Sequence, residues 1–175
     1  MEYSMSWKSV HVEQFICKPF DLWDRQWLLL TSGDYSTGEF NCMTVGWGSF
    51  GIMWRRPFAQ VVVRPTRYTY QFMDRFSTFT LCAFPDEYRK ALKLLGSRSG
   101  RDGDKIAPAG ITPIPSQEVA APAFAEAELS FECETIYWQD MEPSHFKMPS
   151  IEALYPKKDY HRIYFGHILN ILRKE

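Results

Sequence analysis

The sequence has little that would indicate a metal site, a nucleic-acid surface or a membrane span. Its four cysteines, Cys17, Cys42, Cys82 and Cys133, are widely spaced without a C-x-x-C pair, and the four histidines do not cluster with them, so no metal site is predicted. Twenty basic against 21 acidic residues leave a net charge of −1, which favours neither nucleic acid nor an anionic membrane. No apolar run approaches the roughly 20 residues of a membrane helix, and no signal-peptide pattern opens the chain. We therefore expect a soluble, cytoplasmic protein with reduced cysteines.

Two further absences concern catalysis. No G-x-G-x-x-G motif follows a predicted strand, so the sequence predicts no separate Rossmann domain for a nicotinamide nucleotide. Neither a Ser/His/Asp set nor a pair of catalytic carboxylates is evident. The length of 175 residues fits one domain, residues 1–175.

Aromatic residues, in contrast, are abundant. They make up 16% of the chain, including six tryptophans and thirteen phenylalanines. Such a surplus indicates a core or a subunit interface, and less often a stacking surface for a planar ligand.

The hydrophobic pattern predicts mostly strands. Apolar or alternating runs predict strands at 26–31, 40–45, 58–63, 78–84, 110–114, 126–134 and 160–172, and helical spacing predicts helices at 69–76 and 86–95. Strands 40–45 and 58–63 are expected to be neighbours joined by a glycine-rich loop. Strand 126–134 is expected to expose Ser130 and Glu132 on its outer face. Residues 1–19 are expected to form an edge segment, and Gly166 is expected to cause a bulge or kink in strand 160–172. The fold prediction is mainly β with peripheral helices: a barrel of six or more mostly antiparallel strands.

Two polar segments suggest a phosphate-bearing ligand. Arg64 and Arg67 flank Pro65 in a turn and could form a fork for a phosphate dianion, although a solvated arginine turn fits equally well. Residues 97–105 are either a mobile surface loop or a second phosphate-facing loop, because they offer hydroxyls, glycine N–H groups and cations.

Four motifs in order carry a family resemblance. They are N-x-M-T-V-x-W-G-S at 41–49, R-P-x-R-Y-T at 64–69, Y-R-K-A-L at 88–92 and S-G-R-D-x-D-K at 99–105. Together they resemble the flavin reductase-like family, in particular its flavoredoxin branch, over about residues 20–172. The resemblance implies an FMN-binding split β-barrel that forms a homodimer, with FMN near the subunit interface.

The resemblance also implies which residues bind FMN. One segment would border the flavin ring: Asn41, Met43, Thr44, Val45, Gly46 and Trp47. A second would hold the phosphate and ribityl chain: Arg64, Thr66, Arg67 and Tyr68. A third would close over the phosphate: Ser99, Gly100, Arg101 and Lys105. Met43 and Val45 could equally be core residues whose backbone alone meets the ring. Gly46 stands where relatives often have a residue with a hydroxyl group, so the contact with FMN that this hydroxyl would make would come from a backbone N–H instead.

The C-terminal G-D-H motif of the family is only approximated by Asp159-Tyr160-His161, followed by Gly166. We expect His161 to position the electron donor, with a histidine packed beside Tyr160 as the alternative. The predicted function is an FMN-dependent oxidoreductase that accepts electrons from NADH, NADPH or a protein donor and passes them to an acceptor. A flavin carrier and a small-molecule-binding barrel without flavin remain alternatives.

Overall fold

The computed structural model describes residues 6–175, so the first five residues of the edge segment predicted at 1–19 lie outside the described residues. The strands are β1 (Trp7–Ser9), β2 (Leu28–Asp34), β3 (Glu39–Val45), β4 (Gly48–Met53), β5 (Arg56–Val63), β6 (Thr78–Ala83), β7 (Pro113–Ile114), β8 (Ala123–Phe124), β9 (Leu129–Asp140) and β10 (Arg162–Lys174). The α-helices are α1 (Thr69–Arg75), α2 (Arg89–Ser97), α3 (Ile106–Ala109) and α4 (Pro149–Glu152). Short 3₁₀ turns cover Val12–Gln14, Asp86–Tyr88, Gly100–Asp102 and Pro143–His145, and a π-helix covers Asp21–Gln26.

One antiparallel sheet organises the fold. Its strand order is β3-β2-β6-β9-β10-β5-β4. Strand β1, which lies in the predicted N-terminal edge segment, pairs with the end of β10 outside this order. The pairing of β10 with β9 shifts register between Phe165 and Gly166, which confirms the predicted irregularity at Gly166. A Cβ at Gly166 would lie 2.3 Å from the Phe79 ring, so the close approach of two strands requires glycine there.

The predicted pairing of strands 40–45 and 58–63 is wrong. The segment predicted as a glycine-rich loop contains β4, which pairs with β5 through a two-residue turn, whereas β3 lies at the opposite end of the strand order. Gly48 is part of β4, and only glycine fits there because a Cβ would lie 2.4 Å from the Trp23 ring and from the Gln60 carbonyl. Trp54 and Arg55 form the turn with φ of 52° and 59°, the left-handed conformation that such hairpins need.

The predicted outer face of strand 126–134 is also wrong in part. Ser130 and Glu132 are fully buried, because residues 113–124 cover that face of β9. The Glu132 carboxylate accepts the backbone N–H groups of Gln117 and Glu118, both at 2.9 Å. Glu132 therefore anchors residues 113–124 to β9.

Two apolar clusters result. One fills the barrel, and the other lies between the β2, β3 and β6 strands and the layer formed by α2, α3 and β8. Helix α2 buries Leu92 and Leu95, the stripe that predicted it. The Thr44 hydroxyl donates to the Leu92 carbonyl at 2.6 Å, so α2 is fixed against β3. None of the helices in residues 6–175 is long and apolar enough to cross a membrane.

Candidate functional site

Two adjoining cavities lie where β3 and β5 end beside α2. The larger has a volume of about 500 Å³ and is mostly apolar: its walls are Trp27, Met43, Thr44, Val45, Gly46, Trp47, Val62, Arg64, Leu92, Lys93, Gly96, Ser97 and His161. The smaller has a volume of about 200 Å³ and is polar: its walls are Asn41, Met43, Thr66, Arg67, Tyr68, Thr69, Ser97, Arg98, Ser99, Gly100, Arg101 and Lys105. Met43 and Ser97 line both, so the two cavities are adjacent. Every site residue predicted from the sequence lies in one or the other.

The apolar cavity contains a tryptophan that the sequence prediction missed. Trp27 has φ 65° and ψ 160°, a conformation that costs a non-glycine residue on the order of 1–3 kcal/mol. Arg89 holds it in place, because its guanidinium lies 3.7 Å from the Trp27 ring centroid and donates to the Gln26 carbonyl. Gly46 makes room for this ring, since a Cβ there would lie 3.3 Å from Trp27. In the sequence, Trp27 is part of an apolar run that indicates only a buried strand.

The polar cavity is built from cations that bind backbone carbonyls. Arg67 donates to the Gly96 carbonyl, and the Lys105 ammonium donates to the Leu95 and Arg98 carbonyls at 2.9 and 3.1 Å. Arg101 reaches the Thr66 carbonyl at 3.1 Å. These contacts join the 64–69 turn, the end of α2 and the 97–105 loop. Residues 97–101 and Lys105 line the cavity, and Gly100–Asp102 form a 3₁₀ turn.

These cations lack a neutralising partner in the cavity. Within residues 6–175, no carboxylate lines it, and neither Arg67 nor Lys105 forms a salt bridge. Burial lowers the pKa of Lys105, and burial followed by the nearby Arg64 lowers the pKa of Arg67. Burial raises the pKa of the neighbouring Cys42 thiol to about 12, so it adds no negative charge at neutral pH. An anion in the cavity would be stabilised.

Close packing explains two smaller predicted residues. The Asn41 amide donates to the Thr69 hydroxyl at 2.7 Å, which joins β3 to the start of α1. Gly100 lies directly against this pair, because a Cβ would come within 2.2 Å of Asn41 Oδ1 and 2.9 Å of Tyr68. A side chain at position 100 would therefore push the 97–105 loop away from β3 and the 64–69 turn.

The structure does not place Arg64 and Arg67 in one fork. Arg64 lines the apolar cavity, where it forms a salt bridge with Asp159 at 2.9 Å and donates to the Leu154 carbonyl at 3.0 Å. Its guanidinium also lies 4.7 Å from the centroid of the Tyr155 ring. The hydrogen bond from Arg64 is the main cause that lowers the pKa of Asp159. Arg64 therefore anchors the segment 141–160 at the cavity mouth.

His161 lies at the same mouth. Its ring is 5.3 Å from Trp47, and its Nδ1 is 2.7 Å from the Tyr155 hydroxyl. Burial, followed by the charge of Arg64, lowers the pKa of His161 to about 4, so the imidazole is neutral at physiological pH. The packing partner is Tyr155 rather than the neighbouring Tyr160. A neutral ring facing an apolar cavity can orient a ligand by hydrogen bonding.

The site as a whole fits a long ligand with two unlike ends. The apolar cavity is within the usual size range of small-molecule sites and has aromatic walls, whereas the polar cavity offers guanidinium and ammonium groups to a dianion. A planar ring joined by a short chain to a phosphate has this distribution of properties. FMN is such a molecule.

Comparison with known proteins places the fold. The structure superposes on an FMN-binding domain of a flavin reductases-like enzyme from Shewanella baltica with TM-score 0.69 and 16% identity, covering 97% of this chain and 78% of that one. Flavoredoxin of Desulfovibrio vulgaris gives TM-score 0.64 and 23% identity over 83% and 67% of the two chains. The NADH:FAD oxidoreductase SgcE6 of Streptomyces globisporus gives 0.63 and 18% over 86% and 78%. No curated protein matches the sequence.

The structural similarity confirms the predicted fold, a mainly β split barrel with peripheral helices. The sequence profile described as "Flavin reductase like domain" matches residues 24–172. This range contains both cavities and every predicted site residue. Because the match covers most of the chain, the protein belongs to the flavin reductase-like domain family.

Proposed function

We propose that the protein is an FMN-dependent oxidoreductase of the flavoredoxin type, taking electrons from a reduced nicotinamide nucleotide and passing them to an acceptor. The observation that carries the proposal is the adjacency of an apolar, aromatic-walled cavity to a polar cavity that contains cations but no carboxylate. Family membership supports a flavin-related oxidoreductase role.

In this proposal the polar cavity holds the phosphate. Arg67, Arg101 and Lys105 supply positive charge, and Ser99 and Gly100 supply a hydroxyl and backbone groups. Since each charge-assisted hydrogen bond contributes about 1.5–3 kcal/mol, the cavity would favour FMN over riboflavin. Arg64 would contact the ribityl chain or ring edge from the apolar cavity while bound to Asp159.

The apolar cavity would orient the ring. FMN supplies hydride acceptance and release of one or two electrons when bound. The chain excludes water with Trp27 and Trp47 and presents backbone groups of residues 43–47. The Thr44 hydroxyl donates to the Leu92 carbonyl, which fixes the position of this segment relative to α2. His161 offers a neutral hydrogen-bonding group at the mouth, where a nicotinamide could stack on the ring.

A specific surface supports the predicted homodimer. Trp54 and Tyr137 are 54% and 42% exposed, and their ring centroids lie 5.7 Å apart, with Phe165 next to both. An exposed aromatic cluster of this kind is typical of an interface. We propose that a second copy of the chain covers it. Free, buried thiols at Cys42, Cys82 and Cys133 support a cytoplasmic location.

The test is binding followed by turnover. Purified protein is titrated with FMN while flavin absorbance and fluorescence are recorded, and NADH and NADPH oxidation is then measured with and without an electron acceptor. We expect saturable one-to-one FMN binding and acceptor-dependent oxidation. FMN binding without oxidation of either nucleotide would indicate a flavin carrier or a protein electron donor, and absence of FMN binding would refute the proposal.

A further inference from the structure

We propose that Tyr155 is a positioning residue: its hydroxyl fixes His161 as a neutral imidazole with the proton on Nε2, directed at a carbonyl oxygen of a ligand in the apolar cavity. The inference rests on the proposed function and extends it to a residue that the family motifs do not include. Tyr155 lies on the segment 141–160, which follows β9 and returns to β10.

The contact is short and sheltered. Tyr155 is 3% exposed and His161 is 8% exposed, and the hydroxyl oxygen lies 2.7 Å from Nδ1. The two rings meet edge to face at 5.4 Å between centroids. Such packing leaves little freedom for the imidazole to rotate. The hydrogen bond to Nδ1 therefore decides which ring nitrogen carries the proton.

The direction of this hydrogen bond follows from the other neighbours of Tyr155. The hydroxyl proton has two acceptors in reach, His161 Nδ1 at 2.7 Å and the Met141 sulfur at 3.5 Å. A thioether is a weak acceptor, so the hydroxyl donates to Nδ1. A neutral imidazole that accepts at Nδ1 carries its hydrogen on Nε2.

The second nitrogen is open to the cavity. His161 lines the apolar cavity. Among residues 6–175, the buried side-chain nitrogens and oxygens without a hydrogen-bond partner do not include its Nε2, so Nε2 is accessible. The described residues offer it no hydrogen bond. An N–H group at this position is available to a ligand.

Burial is the main reason that the pKa of His161 is low and the ring is neutral, and the surrounding charged groups add to this effect. Arg64 at the end of β5 disfavours a second cation, and Asp159 on the 141–160 segment has the opposite but smaller effect. Tyr155 and Tyr160 are the titratable hydroxyls beside it, and burial raises the pKa of both. Arg64 and Asp159 are also paired with each other, which limits the attraction of the carboxylate for a protonated imidazole.

A fixed, uncharged N–H donor suits an uncharged acceptor. In a flavin site, such acceptors are the ring carbonyls of FMN and the carboxamide oxygen of a nicotinamide. Both share the chemistry of an amide oxygen, and binding measurements distinguish them. Loss of a hydrogen bond to an FMN carbonyl would weaken FMN binding. Loss of a hydrogen bond to the nicotinamide carboxamide would raise the half-saturating nucleotide concentration and leave the FMN affinity unchanged.

The first test needs no cofactor. In protein labelled with ¹⁵N-histidine, two-dimensional NMR reports the proton position and the pKa of His161, assigned by comparison with His161→Gln. We expect the Nε2–H form and a ring still neutral at pH 6. Tyr155→Phe should produce a mixture of the two neutral forms and a higher pKa, because the hydrogen bond that favours the neutral ring is lost.

The matched control is Tyr160→Phe. Tyr160 lies on the same segment with its ring centroid 5.0 Å from that of Tyr155, but its hydroxyl donates a hydrogen bond to Glu152 and forms none with His161. This variant should leave the NMR signals of His161 unchanged. Thermal melting of both variants shows whether the segment remains folded.

The second test compares ligands. Tyr155→Phe should weaken either FMN binding or nucleotide half-saturation by about 2- to 10-fold, the effect of one neutral hydrogen bond, with the same maximal rate. A wild-type His161 that is protonated at pH 6 or carries its proton on Nδ1 would overturn the inference while leaving FMN binding intact. Equal effects of Tyr155→Phe and Tyr160→Phe would also overturn it. Failure of the wild type to bind FMN would instead refute the proposed function.

Discussion

Replacement of Arg67 by alanine should separate FMN from riboflavin. Arg67 lines the polar cavity and uses part of its guanidinium to bind the Gly96 carbonyl, which leaves other N–H groups for a phosphate. Loss of one charge-assisted contact corresponds to about 1.5–3 kcal/mol, or a roughly 10- to 150-fold increase in the dissociation constant for FMN. Riboflavin lacks the phosphate, so its affinity should change less than about twofold on the same scale.

Arg64→Ala is the matched control for this experiment. It removes a cation of the same kind from the adjoining cavity, where Arg64 contacts Asp159 and the Leu154 carbonyl. We expect FMN and riboflavin to lose affinity by the same factor, since this residue lies beside the ring end of the site. Arg67→Lys should fall between wild type and Arg67→Ala, because a lysine keeps the charge without the bidentate geometry.

The assay is isothermal calorimetry with both ligands, together with a melting curve for each variant. Arg67→Ala also removes a donor from the end of α2, which should lower stability by about 1 kcal/mol and the melting temperature by about 2–4 °C. Equal losses of FMN and riboflavin affinity in Arg67→Ala would refute the placement of the phosphate. So would a selective loss of FMN in Arg64→Ala alone.

Three further predictions concern stability and assembly. Glu132→Gln should lower the free energy of unfolding by about 1–3 kcal/mol, because an amide cannot accept from both backbone N–H groups. Glu134→Gln changes an exposed residue and should have no effect. Equal urea midpoints for the two variants would contradict this prediction. The pKa of His161, about 4 when folded and 6.5 as the reference value, predicts that stability is lost as the pH falls from about 6.5 to 4, since the unfolded state takes up the proton first. Allowing for solvent at the cavity mouth, this loss is about 1–2 kcal/mol, and it should be missing from pH-dependent unfolding of His161→Gln. Sedimentation should show a dimer at micromolar concentration that Trp54→Asn weakens, as asparagine tolerates the positive φ of this turn; a wild-type monomer would be inconsistent with the proposed interface.

Periodicity predicted much of the fold because most elements bury one clear face. The helix at 86–95 has an apolar stripe and the strand at 160–172 has a glycine at its irregularity, and both are present in the structure. Strand β4 was missed because glycines suggested a loop, and its turn residues Trp54 and Arg55 carry no turn signal. Glu132 was assigned to the surface because an alternating pattern cannot show that a distant connector folds over one face.

The motifs predicted which segments form the site but not how the two arginines divide between its cavities. Their spacing in a turn is compatible with one fork, and only the position of Asp159, almost a hundred residues away, shows that Arg64 faces elsewhere. Trp27 was missed for a related reason, because its backbone conformation has no signature in composition. Long-range contacts and unusual dihedral angles are therefore what the sequence alone left unresolved.

The carbonyl groups at the end of α2 have a consequence for how quickly a ligand can enter. They accept hydrogen bonds from Arg67 and Lys105, so two flexible side chains are already held in position and binding need not order them again. A preorganised pocket of this kind does not require a loop to fold around each incoming molecule. Association can then be fast, and residence time depends on the contacts themselves. This property would suit a protein that exchanges its flavin during each cycle as well as one that retains it.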